Sequence, residues 1–513
     1  MTQPPPHSPP PPRRVSLGRS SARRDQILAL AVMILCLAGV FILQPVLTWQ
    51  RIGVRDPQDQ TKVIEAGIVP PPPAALRQLA AEFPRLILGG FRGLLVPFLW
   101  KQAEEDKNDR KWQDLNTTYN IIGKLEPYFV AVYVFNAWNQ AYNLSAQWHG
   151  IDEKYDWVLE GLGHLYEGEE YNPKNPDILL EIAHMYFLKL GGSFERIAYR
   201  EMWRADIAHQ YLLEQGAPID KRVMERHKRV RRFILRPQFN TELLEDPRNP
   251  SRVGFGIRIR GLFQNKATHE DEPLECRYGV SPFYFAFKEY QRCLAAGMPS
   301  TTGINIVHAY PAMSLRLWCR DDTYYAQGQV RDMFWKNVDG VPAPESITEF
   351  DRRVLEIRDC FRNVQKVAPR AVDEFEKHLA IFPANRPTHG KHILETQFIA
   401  RVAEAESEMF EGLVNYYVGE NRLPRQMTAE ARRHLIACLP QYQRAIDGIE
   451  SYLNKIYPIV NGRPQPDRAD FAKYQLAMQE RMEGVRAMLA AAEADGPGAR
   501  CDFSFLKSDT IER

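Results

Sequence analysis

The chain has 513 residues, a net charge of +2, and ordinary fractions of hydrophobic (44%) and charged (25%) residues. This length exceeds what one compact core usually holds, and about three domains would be typical. The near-neutral charge excludes a global field that would attract nucleic acid or anionic lipid. The 7 cysteines form no CxxC pair, so we expect mostly buried thiols, with Cys276–Cys293 and Cys293–Cys319 as candidate disulfides.

Residues 1–24 are rich in proline, then in arginine and serine. Such a composition cannot bury a core, so we predict a disordered tail with polyproline II character. A ligand for a proline-binding module and a kinase target at 13–16 (RRVS) are alternative interpretations of this segment.

Residues 25–49 contain a long uncharged apolar run and end at Trp49. About 20 apolar residues are enough to cross the hydrocarbon of a bilayer, so we predict one transmembrane helix. Five arginines precede this segment, whereas Arg51 and Arg55 after it are diluted by aspartates. The positive-inside rule then places the tail in the cytoplasm and the body outside it. A cleaved signal peptide is the alternative, although no small-residue cleavage site follows.

Residues 50–75 end in consecutive prolines and are predicted to form a stiff linker. From 76 to 215, apolar residues recur at helical spacing in pairs of helices that stop at prolines. Ala137 and Ala183 are 46 residues apart, as are the prolines that end two successive pairs. This pattern predicts helical hairpins that bury their faces only by stacking on one another.

The motifs LEP at 125–127 and YNPKNPD at 171–177 each close a helical hairpin and resemble the ends of tetratricopeptide repeats. Ala137 and Ala183 match the small packing residues of first helices in that family. The period is longer than the usual length of about 34 residues, so the resemblance implies expanded repeats.

The layout of the chain is also similar to uncharacterised single-pass membrane proteins of planctomycete-type bacteria. The motifs FRGLLVPFLW (91–100) and AWNQAYN (137–143) carry this resemblance. It implies a bacterial source, with the body facing the periplasm from the inner membrane, and no known activity.

Residues 216–345 lose the helical period and contain strand-like runs at 252–263 and 303–308. We predict an irregular α+β-like insert with a small sheet. From 346 to 495 long helices return with prolines between them, which predicts antiparallel hairpins or a bundle.

Pro369 is expected to kink or split the first of these long helices, and residues 496–513 form a tail. The whole prediction is a mainly α protein with tetratricopeptide-like repeats, the insert, long antiparallel C-terminal helices and one transmembrane helix.

A row of amides follows one helix of the repeat region, at Asn136, Asn139, Gln140 and Asn143. Asparagine is a poor helix former, and an amide can donate and accept hydrogen bonds at once. We therefore predict that these residues bind a peptide or another protein. A solvated face and a hydrogen-bond row between helices are the alternatives.

A basic run lies at the start of the insert. It consists of Lys221, Arg222, Arg226, Lys228, Arg229, Arg231 and Arg232. Anionic lipid or an acidic protein is the predicted partner, and a solvated helix face is the alternative. Nucleic acid is not an expected partner, because no recognition motif surrounds the run.

Two clusters contain donors that could hold a metal, at 269–276 (HEDEPLEC) and 389–395 (HGKHILE). Neither has zinc-finger or HExxH spacing, so we predict polar surface, no metal and no cofactor. No phosphate loop or GxSxG elbow is present, and no catalytic residue is predicted.

These observations favour a membrane-anchored scaffold of the cell envelope that binds other envelope proteins through its repeats, without catalysis. One alternative is an enzyme with its site in the insert at 216–345. The other is a structural envelope protein that forms homo-oligomers through its C-terminal helices.

Overall fold

The computed structural model describes residues 92–208, 221–245, 253–264, 268–297, 299, 303–335, 347–417, 427–459, 466–494 and 504–507. The predicted tail at 1–24, transmembrane helix at 25–49 and linker at 50–75 lie outside these residues. None of the described helices is both long and apolar enough to cross a membrane.

The described residues are mainly helical, with one small antiparallel sheet, as the sequence predicts. The α-helices are α1 Arg92–Asn108, α2 Trp112–Leu125, α3 Val130–Trp138, α4 Ile151–Tyr171, α5 Pro176–His184, α6 Arg196–Ala208, α7 Lys221–Ile234, α8 Pro282–Ala296, α9 Ile304–Trp335, α10 Ile347–Ile381, α11 Arg386–Tyr417, α12 Ala429–Ile456 and α13 Pro466–Ala494.

The chain divides into two compact units. One consists of Met1–Glu105 with Lys124–Glu126, and the other of Asp106–Gly123 with Pro127–Arg513. In the described part of the first unit, Lys101 and Glu105 on α1 form an exposed ion pair of 3.7 Å. In the second unit, one continuous hydrophobic core draws residues from α3 through α13.

The segment between α4 and α5 both ends one hairpin and starts the next. The Asn175 side chain accepts hydrogen bonds from the backbone N–H groups of Asp177 and Ile178, and Pro176 occupies the first helical turn. An asparagine cap followed by proline is a strong signal for a helix N-terminus. The Asn172 side chain donates to the Pro127 carbonyl at 3.1 Å, which ties the end of α4 to the start of the same hairpin.

The small sheet lies in the predicted insert and has the order β1 (Thr241–Glu245), β2 (Val253–Ile259), β3 (Leu274–Cys276). Both pairings are antiparallel. Gly256 has a φ of +82°, and a Cβ there would collide with the Cys276 carbonyl, so β2 requires glycine at this position.

The rest of the described insert is helical, in α7, α8 and α9. The strand predicted at 303–308 is wrong, because these residues lead into the first turns of α9. Its buried residues Val307, Ala312 and Leu315 follow a helical spacing that extends past the short apolar run.

The predicted C-terminal helices are confirmed within a few residues as α10 to α13, each packed on the next. The prediction that Pro369 splits the first of them is wrong at the level of secondary structure, because α10 is assigned without interruption from Ile347 to Ile381. The flanking Val367, Ala368 and Ala371 are fully buried. Their packing offsets the hydrogen bond that proline cannot make.

The described cysteines are Cys276, Cys293, Cys319, Cys360 and Cys438, and all are buried free thiols. The expectation of buried thiols is confirmed for them. The two candidate disulfides are wrong.

Candidate functional site

The 46-residue period of the sequence recurs in the structure of two hairpins. Helices α3 and α5 begin 46 residues apart, at Val130 and Pro176. Each continues into a six-residue π-helical segment, Asn139–Leu144 and Met185–Leu190, again 46 residues apart. π-Helical segments are rare and occur frequently at functional sites. Their recurrence at matched positions indicates that the first helices of the two hairpins are candidate binding elements.

Both first helices carry partly or fully exposed side chains at matched positions, which together we call the first-helix stripe. The pairs are Ala131 and Asp177, Phe135 and Glu181, Trp138 and His184, and Tyr142 and Leu188. Phe135, Trp138 and Leu188 are 47%, 50% and 44% exposed. Large apolar side chains that share an exposed face are typical of binding surfaces.

The two halves of the first-helix stripe differ in chemistry. On α3 and its π segment, the Trp138 and Tyr142 rings stack with centroids 4.2 Å apart. The Lys189 ammonium lies 4.6 Å from the centroid of the Tyr142 ring. The α5 half carries Asp177 and Glu181 instead. An exposed aromatic strip therefore adjoins carboxylates, a combination that the predicted sites did not include.

The predicted amide row faces another helix of the same chain. Asn136, Asn139 and Gln140 are at most 3% exposed. They donate to α2, at Asn120 Oδ1 (2.8 Å), the Trp112 carbonyl (3.0 Å) and Asn116 Oδ1 (2.8 Å) respectively. Asn143 is half-buried and donates to Asn139 Oδ1. The structure therefore has the hydrogen-bond row between helices that was left open as an alternative.

The alternative of a solvated face does not hold for Asn136, Asn139 and Gln140, because α3 packs on both sides. Its Ala137 and Ala141 are buried toward α4, while the amides are buried against α2. Binding of a partner by these amides would require α2 to move away.

Most of the predicted basic run binds acidic residues of its own chain. The run lies on α7, and its partners are mainly on α4. The pairs are Arg222 with Glu153 (2.9 Å) and Asp156 (2.5 Å), Arg226 with Asp152 (3.1 Å) and Asp206 (3.4 Å), and Arg229 with Glu160 (2.6 Å). Most charges of the run that form ion pairs are therefore neutralised within the chain, mainly by α4. A separate acidic protein as partner stays a prediction.

The other members of the run differ. Lys228 pairs with Glu225, and burial lowers the pKa of Arg231. Lys221 and Arg232 remain exposed without an ion pair to a described residue. Lipid contact by this remainder stays a prediction.

The candidate metal ligands at 269–276 do not form a metal site, and several of them bind other residues of the chain. Glu275 binds Arg258 and Arg277, Glu272 binds Lys366, and Cys276 is buried in β3. Among the described residues, no group of three histidine, cysteine, aspartate or glutamate side chains is arranged to hold a metal ion.

The residues at 389–395 lie inside a helix. Helix α11 begins at Arg386 and accommodates Pro387 in its first turn. His389 and His392 therefore share a helix face, with ring centroids 5.9 Å apart.

Two further histidines join them in a four-histidine cluster. His378 on α10 lies 4.9 Å from His389, and His308 on α9 lies 6.4 Å from His378, between ring centroids. The Nδ1 atoms of His378, His389 and His392 are buried without a hydrogen-bond partner among the described residues. Burial, together with His389 and His308, lowers the pKa of His378 to about 4. Burial, and then His392, also lowers the pKa of His389, so His378 and His389 are packed as neutral imidazoles near neutral pH.

The densest buried polar network was missed by sequence reasoning. The Arg204 guanidinium on α6 lies 2.7 Å from Asp321 Oδ2 and 2.6 Å from Asp322 Oδ1 on α9. Tyr278 and Trp318 donate to Asp322 Oδ2 at 3.1 and 3.0 Å. Adjacent aspartates within a helix form no recognisable motif, so only the fold reveals that they share one arginine.

The two carboxylates of this network titrate differently. Burial raises the pKa of Asp322 to about 6, although Arg204 opposes the shift. Burial also acts on Asp321, but Arg204 and Arg200 outweigh it and lower its pKa. Each carboxylate is at most 2% exposed, so the network can fix the positions of α6 and α9 but presents no group to a substrate.

No family model and no curated protein matches this chain. Any functional argument therefore depends on the residues themselves.

Replacing Arg204 with methionine should destabilise the protein by about 3–5 kcal/mol, because it leaves the buried Asp322 carboxylate without its cation and leaves Asp321 paired with Arg200 alone. The matched control is Arg222→Met, which removes two partly exposed ion pairs and should cost about 1 kcal/mol or less. Chemical denaturation of the full chain measures both. Equal effects of the two substitutions would show that the buried network contributes no more than surface pairs.

The four-histidine cluster should make stability depend on acidity. The pKa of His378 is about 4 in the folded protein and about 6.5 in the unfolded chain. The unfolded chain therefore binds more protons in this window, and stability is lost as the pH falls from about 6.5 to about 4. Melting temperatures across this range should fall less for His378→Phe than for the unsubstituted protein. His149→Phe, at an exposed position outside the cluster, should leave the slope unchanged, and an equal slope in all three proteins would contradict the assignment.

Proposed function

We propose that the protein is a membrane-anchored interaction scaffold of the cell envelope that binds other proteins through the first-helix stripe. The observation that carries this proposal is the exposure of three large apolar side chains on the first helices of the two hairpins, Phe135 and Trp138 on one and Leu188 on the other. Tryptophan and other aromatic residues are enriched in the cores of protein interfaces and often dominate their binding energy. The stripe is built on helices, which keep its side chains in fixed relative positions.

The proposal includes a tetratricopeptide-like origin for the hairpins. Ala137 and Ala183 occupy equivalent positions and are fully buried. A Cβ at Gly161 of α4 would lie 2.8 Å from the Ala137 carbonyl oxygen, so α3 and α4 approach closely where both residues are small. Close packing of two helices at small residues supports this origin. The period of 46 residues marks the repeats as expanded.

The membrane anchor belongs to the proposal on sequence grounds. The uncharged segment at 25–49 and the arginines before it support a single-pass protein with a cytoplasmic N-terminus. The body would then face the periplasm of a bacterial cell, where the stripe meets other envelope proteins.

An enzyme is not favoured by any group in the described part of 216–345. The strongest cluster there, Asp321 and Asp322 with Tyr278 and Trp318, is at most 2% exposed. Its polar groups bind each other and Arg204. Homo-oligomers formed through the C-terminal helices remain the third interpretation.

A photo-reactive phenylalanine analogue at position 138 should cross-link to one or a few unlike proteins in the cells of origin, because Trp138 lies at the centre of the stripe. The same analogue at position 436, where Ile436 is 48% exposed on α12, is the matched control. Mass spectrometry identifies the products. Cross-links from 436 alone, or only to a second copy of the chain, would contradict the proposal.

The orientation of the body is tested with a cysteine added in the linker at 50–75, Cys501 replaced by serine, and the buried native thiols kept. A membrane-impermeant maleimide should label this cysteine in intact cells, because the positive-inside rule places the linker outside the cytoplasm. The chain without the added cysteine is the control. Labelling only after lysis would place the body in the cytoplasm and exclude an envelope scaffold.

A further inference from the structure

Glu181 is a partly buried carboxylate in the first-helix stripe that lacks a strong cationic partner. Its side chain is 17% exposed, and its nearest basic group is His184 Nδ1 at 3.6 Å, which is charged only when protonated. No lysine or arginine among the described residues is within ion-pair distance of it. A carboxylate withdrawn from water without a partner is costly, and most other half-buried acids of this chain are paired.

Aromatic rings from outside the repeats pack against His184, the basic neighbour of this carboxylate. The His184 ring packs edge-on against Tyr290 and Tyr310, at 5.9 and 5.6 Å between centroids. Tyr290 and Tyr310 stack on each other at 4.6 Å. Tyr310 and His184 are partly exposed, whereas Tyr290 is fully buried beneath them. These side chains form an aromatic floor and rim beside Glu181.

Two polar atoms of this floor are buried and make no hydrogen bond to a described residue, namely the Tyr290 hydroxyl and His184 Nε2. Glu181 influences the hydroxyls of both Tyr142 and Tyr290. Burial first, and then Glu181, raises the pKa of Tyr142 to about 12. Burial is also the main cause of the raised pKa of Tyr290, and Glu181 and Tyr142 add to it. The carboxylate and these hydroxyls therefore lie near one another.

The hydrogen-bond acceptors and ring faces of this arrangement are complementary to an organic cation. A carboxylate and phenol oxygens accept hydrogen bonds from ammonium or guanidinium groups, and the ring faces attract positive charge. The same surface already holds one ammonium, because Lys189 lies over the Tyr142 ring. No described ion pair joins Lys189 to Glu181, so the carboxylate is not neutralised by this ammonium. An anion would meet Glu181 and be repelled.

We infer that Glu181, with the partly exposed Tyr142 and Tyr310 beside it, binds a basic side chain of the partner protein. The inference rests on the proposed scaffold function and specifies its ligand as a lysine or arginine flanked by apolar residues. A peptide is favoured over a free amine, because the exposed Trp138 and Leu188 belong to the same stripe. These side chains can contact residues on either side of the basic one.

The test uses the full chain in detergent and two fluorescein-labelled peptides of the form Ala-Leu-X-Leu-Ala, with X either arginine or its neutral isostere citrulline. The arginine peptide should bind at least about tenfold more tightly, because a charge-assisted hydrogen bond is lost with citrulline. Glu181→Gln keeps the volume and should weaken the arginine peptide by about the same factor. Glu430→Gln, an exposed acid on α12, is the matched control and should change nothing.

Several results would overturn the inference. One is equal binding of the two peptides, and another is an unaltered affinity in Glu181→Gln. Methylguanidinium that binds as tightly as the arginine peptide would show that the site takes a free amine. Should Glu181→Gln fail to fold, as judged by circular dichroism, Tyr310→Ala at the partly exposed rim must weaken the arginine peptide or the inference fails. Cross-links from position 138 that persist in Glu181→Gln would leave the scaffold proposal standing and remove only the basic ligand.

Discussion

One buried arginine links α6, at the end of the repeat region, to the long helices α9 and α10. Arg204 on α6 neutralises Asp321 and Asp322 on α9, and Asp322 in turn accepts from Tyr278, the residue to which Asn363 on α10 donates. A buried charge without its partner is strongly destabilising, so each of these helices is confined to positions that keep the ions paired. The hairpins are therefore held in register with the long helices as well as packed against them.

Much of the helical architecture could be predicted, because it depends on local pattern. The offset between Ala137 and Ala183 reappears as the offset between two α-helices and two π segments. The Asn175-Pro176 pair marks a helix start because the side chain caps the helix and the ring fits its first turn. In the long helices, proline was a weaker signal of a helix end than the capping pair was of a helix start. α10 runs through Pro369 because buried neighbours on both sides keep the residue in the helix.

The sites could be predicted less well, because they combine residues from distant parts of the chain. His378, His389 and His308 come from three helices, and no spacing in the sequence indicates that they meet. The burial of the amide row could not be predicted for another reason. Helical periodicity identifies a face that differs from the apolar one, but it does not tell whether water or a second helix covers that face. Here α2 covers that face, and its Asn116 and Asn120 side chains accept hydrogen bonds from the amides of α3. These two asparagines were the sequence signal that could have indicated the pairing.

In the proposed scaffold, the difference between the two halves of the first-helix stripe would give the repeats a specific ligand. Equal backbone positions carry Phe135 and Trp138 on one hairpin and Glu181 and His184 on the next. Stacking of the hairpins requires only that the buried positions stay small or apolar, so the exposed positions are free to diverge. Tyr290 and Tyr310 then reach the second hairpin from α8 and α9, outside the repeats. Because these helices cover only one of the two equivalent faces, the stripe has an open aromatic half and a carboxylate half backed by tyrosines. A partner that places apolar and basic side chains in the matching order would be distinguished from one that carries either kind alone.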